Sequence, residues 1–210
     1  MKKIWYYIVL TILVMAGVIL FTPKYLYLLW NLILAWIAYL LSHVVANVKK
    51  REWKGKMIIF FFLWMIFYPN AFYMITDYIH FQQLSFYKGN AYGIVYDTSL
   101  ILWMTFAFHV LIITLALLLS FHAYKKVEKK LIGSGKFSKL IFLSFISIGV
   151  GVAMCVGRFH RLNSWDVFLA PKVLFSYVKE VFSPRYMPLA GLFAGLHFLM
   201  IELLERKDDY

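Results

Sequence analysis

Acidic side chains, cysteine and long polar stretches are all scarce in this 210-residue chain. Aspartate and glutamate number 10 against 22 lysines and arginines, and charged residues of both signs reach only 15%, where a soluble domain carries about 25%. No polar segment is long enough to enclose a core of its own, which excludes a separate soluble module. The single cysteine, Cys155, lies inside an apolar run. A disulfide framework and a cysteine metal site are therefore both excluded. No small-x-small cleavage pattern follows the basic start at Lys2 and Lys3. Thr22, Pro23 and Lys24 lead straight into a second apolar run, so the first reads as an uncleaved span. The glycines between Leu84 and Tyr96 do not have phosphate-loop spacing, and the two halves show no inverted repeat of the kind that marks many transporters.

What is abundant is apolar surface: hydrophobic residues make up 63% and mean hydropathy is +0.74. Six runs approach the roughly 20 residues that cross a hydrocarbon core. They are Ile4–Thr22, Tyr25–Ala46, Met57–Thr76, Thr98–Tyr124, Leu140–Gly157 and Tyr186–Leu204, the last opening on Pro188. They predict an all-α membrane protein, a six-helix transmembrane bundle forming one polytopic domain over residues 1–210. The basic excess is not a nucleic-acid footprint, because the cations sit in short loops between apolar runs. With the N-terminus inside, 15 of the 22 fall on the inner side, among them Lys49, Lys50, Arg51 and the six lysines from Lys125 to Lys139. This bias places both termini in the cytoplasm. The Lys125–Lys139 loop, with Gly133, Ser134 and Gly135, reads as a segment lying on anionic headgroups.

That topology brings Asp77, His80, Asp97 and the stretch Gly157–Asp166 to the outer face. Asp77 and His80 are three residues apart, a spacing that lets a carboxylate orient an imidazole. Arg158 and Arg161 share the same spacing at the end of the fifth span. Two unpaired guanidiniums there would be costly, so they should seek Asp77, Asp97 or Asp166, or a bound anion. The candidate acid–base residues are thus Asp77, His80, Asp97 and Asp166, and the candidate binding residues are Arg158, Arg161, Asn70, Tyr73, Asn163 and Ser164. A purely structural ion network of the same groups is the alternative. Ser164 is a candidate nucleophile, although Asn163 or Ser164 also suits a helix cap. The four acid–base candidates are metal-ligand types at no established metal spacing, so no metal and no cofactor is assigned.

Other features frame this face. Pro69 removes a backbone donor and should break the third span, with Asn70 a candidate partner for the freed carbonyls. Asn31, Ala35, Ala38 and Ser42 form a small, polar stripe suited to helix contact, and Asn31 could reach the site. His109 lies near mid-membrane, where proton relay competes with simple hydrogen bonding. Gly149, Ala153 and Gly157, and likewise Gly191 and Gly195, are spaced for close helix approach. Leu84–Tyr96 reads as a loop turning at Gly89, Asn90 and Gly93. Trp165–Phe182 reads as an amphipathic helix lying in the outer interface, started by Pro171.

Asn31-Leu32 with Leu34-Ala35-Trp36, Pro69-Asn70-Ala71 with Tyr73, Thr76-Asp77 with Ile79-His80, Tyr96-Asp97, and Gly157-Arg158-Phe159 with Arg161 and Asn163-Ser164-Trp165-Asp166 together resemble an uncharacterised bacterial membrane-protein family, domain of unknown function 1361. The resemblance covers nearly the whole chain. Phe72 stands where that pattern has a second proline, and His160 where it has an aliphatic residue. The resemblance implies a multi-pass protein of the bacterial plasma membrane and attaches no activity to it. From the residues themselves the leading expectation is an outward-facing, enzyme-like site for a lipid or lipid-linked anionic substrate. The alternatives are a transporter with a polar path and a non-catalytic partner in a membrane complex.

Overall fold

The structure, a computed structural model, describes residues 2–49, 53–90 and 93–208. Two cations of the orientation argument, Lys50 and Arg51, lie outside them. Long apolar runs in lipid must satisfy their backbone groups within the segment, and a helix is the way to do so. The runs accordingly form α1 (Lys2–Phe21), α2 (Tyr27–Asn47), α3 (Trp53–Phe67), α5 (Leu100–Leu131), α6 (Lys136–His160) and α9 (Met187–Asp208). Between α3 and α5 lie α4 (Pro69–Tyr73), a 3-10 helix over Met74–Gln83 and the strands β1 (Tyr87–Asn90) and β2 (Gly93–Tyr96). Between α6 and α9 lie α7 (Asp166–Leu169) and α8 (Pro171–Val181). Six helical segments are long and apolar enough to cross a membrane, the third running from Gly55 to Gln83 through α3, α4 and the 3-10 helix.

Helices α2 and α5 form the spine of the bundle. On one side Leu28, Leu32 and Ala35 of α2 meet Ile112, Leu115 and Ala116 of α5, with Val14 and Val18 of α1 against them. On the other, Trp64 and Tyr68 pack with Phe121, Tyr124, Ile146, Val150 and Ile201 from α5, α6 and α9. Ser42 sits in the α2 seam with its hydroxyl donated to the Tyr39 carbonyl, a packing position.

Three expectations change on folding. The Lys125–Lys139 segment is mostly helix: α5 runs on to Leu131 and α6 starts at Lys136, leaving a tight turn in which Gly133 takes φ 74°. The 84–96 segment is a hairpin, with Tyr87 opposite Tyr96 and Gly89 opposite Ile94. Helices α6 and α9 do pack closely on each other, but the close-approach residue between them is Gly151. A Cβ there would collide with the Ala190 carbonyl and Ala194, whereas Gly191 and Gly195 face open space.

Candidate functional site

Pro69 cannot supply the amide that the Met65 carbonyl would take, and its ring clashes with that turn. Helix α3 therefore stops at Phe67 and α4 starts at Pro69, with Tyr68 between them. The Asn70 amide spans the break, donating to the Phe67 carbonyl at 2.7 Å and to the Ser164 hydroxyl at 2.7 Å. Ser164 in turn donates to the Ile66 carbonyl at 3.0 Å. The loop after α6 is thus stitched to α3 and α4, with the Ser164 hydroxyl engaged on both sides, and no side-chain hydrogen bond caps α7.

Beyond the kink the chain tightens into the 3-10 helix, in which side chains three apart eclipse. Asp77 and His80 consequently lie one above the other, with His80 Nε2 3.9 Å from Asp77 Oδ1. Asp77 is 2% exposed. Its Oδ1 accepts from Arg158 Nη2 at 2.6 Å and its Oδ2 from Asn31 Nδ2 at 3.3 Å. Arg158 also donates from Nε to the Thr76 hydroxyl at 2.8 Å and closes on the same oxygen through Nη2. Its guanidinium carbon lies 4.3 Å over the Tyr73 ring. Gly157 leaves room for that ring, since a Cβ there would come within 3.3 Å of it. The pairing expected at this end is therefore Arg158 with Asp77 in particular.

Arg161 behaves differently. Helix α6 ends at His160, and Arg161 caps it in the left-handed region with φ 57°, a conformation no other described non-glycine residue adopts. Only a few per cent of non-glycine residues do so. The helical face shared with Arg158 is lost by this turn, yet both arginines line the same cavity. Arg161 is exposed and has no hydrogen bond or ion pair among the described residues.

The cavity measures about 880 Å³, within the range of small-molecule sites. Its mouth carries Asn31, Asn70, Tyr73, Asp77, His80, Arg158, Arg161, Asn163 and Ser164. Its depth is apolar: Phe62, Met65 and Ile66 of α3 face Gly149, Val152 and Ala153 of α6. Val167, Leu174 and Val178 from the α7–α8 segment close one side. Two predicted members are elsewhere. Asp97 accepts the Ser99 amide at 2.7 Å at the start of α5, and Asp166 accepts the Asn163 amide at 2.6 Å. Both carboxylates serve backbone turns and neither lines the cavity. His160 stacks on Tyr177 at 4.1 Å, away from Arg158. His109 bonds the Thr105 carbonyl of its own helix at 2.8 Å and packs between Tyr25 and Phe81, outside the cavity. Among the described residues no three His, Cys, Asp or Glu side chains gather as a metal site.

Two polar clusters escaped the sequence reading. In the bundle core His197 bonds Tyr68 at 2.9 Å through Nε2 and Ser147 at 2.7 Å through Nδ1, and all three are buried. An ionisable residue inside an apolar run was the signal for it. At the end opposite Asp77, Lys125 bridges Glu128 at 2.7 Å and Glu205 at 2.6 Å, and Lys139 lies 3.4 Å from Glu128. Lys125 and Glu128 are i,i+3 on α5, a readable spacing, while Glu205 comes from α9.

Residues 30–201 match the model of the family described as Protein of unknown function (DUF1361), and the chain belongs to that family. No curated protein and no solved structure matches the chain.

Proposed function

We propose that this family member is a single-domain, multi-pass protein of the bacterial plasma membrane, with both termini cytoplasmic and the Asp77 end facing outward. There it presents an enzyme-like site for a lipid or lipid-linked anionic substrate. The orientation rests on the loop cations. The function rests on one observation: a single cavity runs from a mouth of arginines, a carboxylate and an imidazole into an apolar trench between two membrane-spanning helices. Arg161 holds the anion, the Arg158–Asp77 pair shapes the mouth, and His80 is the acid–base group, with Asp77 beneath it to orient the ring. The amphipathic α8 lies in the outer interface, its Leu174 and Val178 turned to the cavity and Val181 buried, while Lys172, Phe175 and Lys179 are exposed on the opposite face. A transporter would need the trench to continue to the opposite end, and the residues lining it stop at the middle of α3 and α6.

The test is an alanine series at Asp77, His80 and Arg161 in a deletion strain, with protein level held equal and envelope lipids profiled. Each variant should reproduce the lipid change of the deletion. Wild-type profiles for Asp77→Ala and Arg161→Ala would remove the proposal.

A further inference from the structure

Resting on the lipid-site reading, the charge arrangement says which lipids fit. Of the fixed charges lining the cavity, two are guanidiniums and one is a carboxylate. Arg158 is already neutralised: Asp77 holds it at 2.6 Å, Thr76 takes its Nε at 2.8 Å, and Tyr73 lies beneath it. Of the other carboxylates on this side, Asp97 and Asp166 are turned onto the Ser99 and Asn163 amides, and Glu180 lies 3.8 Å from His160 Nε2. One guanidinium therefore remains uncompensated, set at the mouth by a backbone in the left-handed region. Its planar fork suits two oxygens of a single phosphate or carboxylate. A second anionic group on the ligand would meet no second uncompensated fixed charge among the cavity-lining residues, only His80 with Asp77 beneath it. Below the mouth, the Gly149, Ala153 and Gly157 face of α6 opens an apolar channel against α3.

We propose that the site binds a singly charged amphiphile, a phosphodiester or carboxylate head on Arg161 with its hydrocarbon chain in the α3–α6 trench, and discriminates against diphosphate heads.

The experiment uses the full-length protein in phosphatidylcholine nanodiscs, with relative affinities read by native mass spectrometry. The added probes are phosphatidylglycerol, a long-chain fatty acid and a polyprenyl diphosphate. At least one monoanion should bind tenfold or more above both phosphatidylcholine and the diphosphate, and which of the two does so identifies the head. Arg161→Gln should abolish that preference without changing the unfolding temperature. Asp77→Asn, which frees Arg158, should move the preference toward the diphosphate by about tenfold. Because Asp77 is buried and this variant can misfold, the exposed Arg161 carries the test independently. A diphosphate bound more tightly than both monoanions, or a full preference retained in Arg161→Gln, overturns this inference while leaving a lipid site in place. Absence of any preference over phosphatidylcholine in the wild type overturns the lipid reading itself.

Discussion

Both ends of this bundle bury a carboxylate among cations, and the two differ in how the charges are closed. At one end Glu128, 1% exposed, shares Lys125 with Glu205 and has Lys139 beyond it, so two lysines meet two glutamates. At the other Asp77, 2% exposed, meets Arg158 while Arg161 stands apart on the wall of a large cavity. Equal numbers of opposite charges drawn from α5, α6 and α9 make a clasp that joins three helices. An odd guanidinium beside an apolar trench is a poor clasp, because a charge left unpaired at the hydrocarbon edge contributes nothing to the fold. Buried carboxylate chemistry is thus used at one end to hold helices together and at the other to leave a charge available.

The contrast breaks most readily on stability. Asp77→Ala leaves Arg158, 14% exposed, without a carboxylate and should cost about 3–5 kcal/mol, whereas Glu128→Ala leaves Lys125 on Glu205 and a partly exposed Lys139 and should cost about 1–3 kcal/mol. Equilibrium unfolding in mixed micelles measures both; a larger loss at Glu128 would show that Glu205 does not hold Lys125 by itself. Ser164→Ala removes the stitch to the kink and should cost about 1 kcal/mol. Because that stitch positions the Arg161 loop, the same variant should also weaken anionic-lipid binding, and an unchanged affinity would show that the loop holds itself. The smallest effect is expected at Arg161→Gly. Glycine relieves a left-handed conformation worth about 1 kcal/mol, so unfolding should be unchanged or slightly harder while lipid binding is lost. A clear destabilisation there would show that Arg161 belongs to the scaffold.

Much of this was legible from residue patterns. Apolar length located the spans, Pro69 the break and Pro171 the start of α8, because each is a local property of backbone or solvation. That Arg158 would seek one of the carboxylates on this face, Asp77 among them, and that Asn31 could reach the site followed from counting spans and asking where unpaired charge could go. Local logic failed where two partners competed for one group. Asp97 and Asp166 had amides two or three residues away, and those nearby donors won over a distant guanidinium. The glycine stripes divided: Gly149 and Gly157 face Met65 and Tyr73 closely, but Gly191 and Gly195 face open space and Gly151 makes the contact with α9, because the facing backbone decides which residue meets it.

By itself, the sequence determined a helical bundle with spans of known length, a broken third span and a polar cluster at one end. These are set by hydrophobicity and by the missing amide of one proline, neither of which needs a neighbour. Only the tertiary structure decided that Arg158 is neutralised while Arg161 is free, that His197 ties Tyr68 to Ser147, and that an apolar trench runs beneath the polar mouth. Each of those depends on which side chains arrive together from distant helices, and a charge or a cavity acquires its meaning only from what stands opposite it.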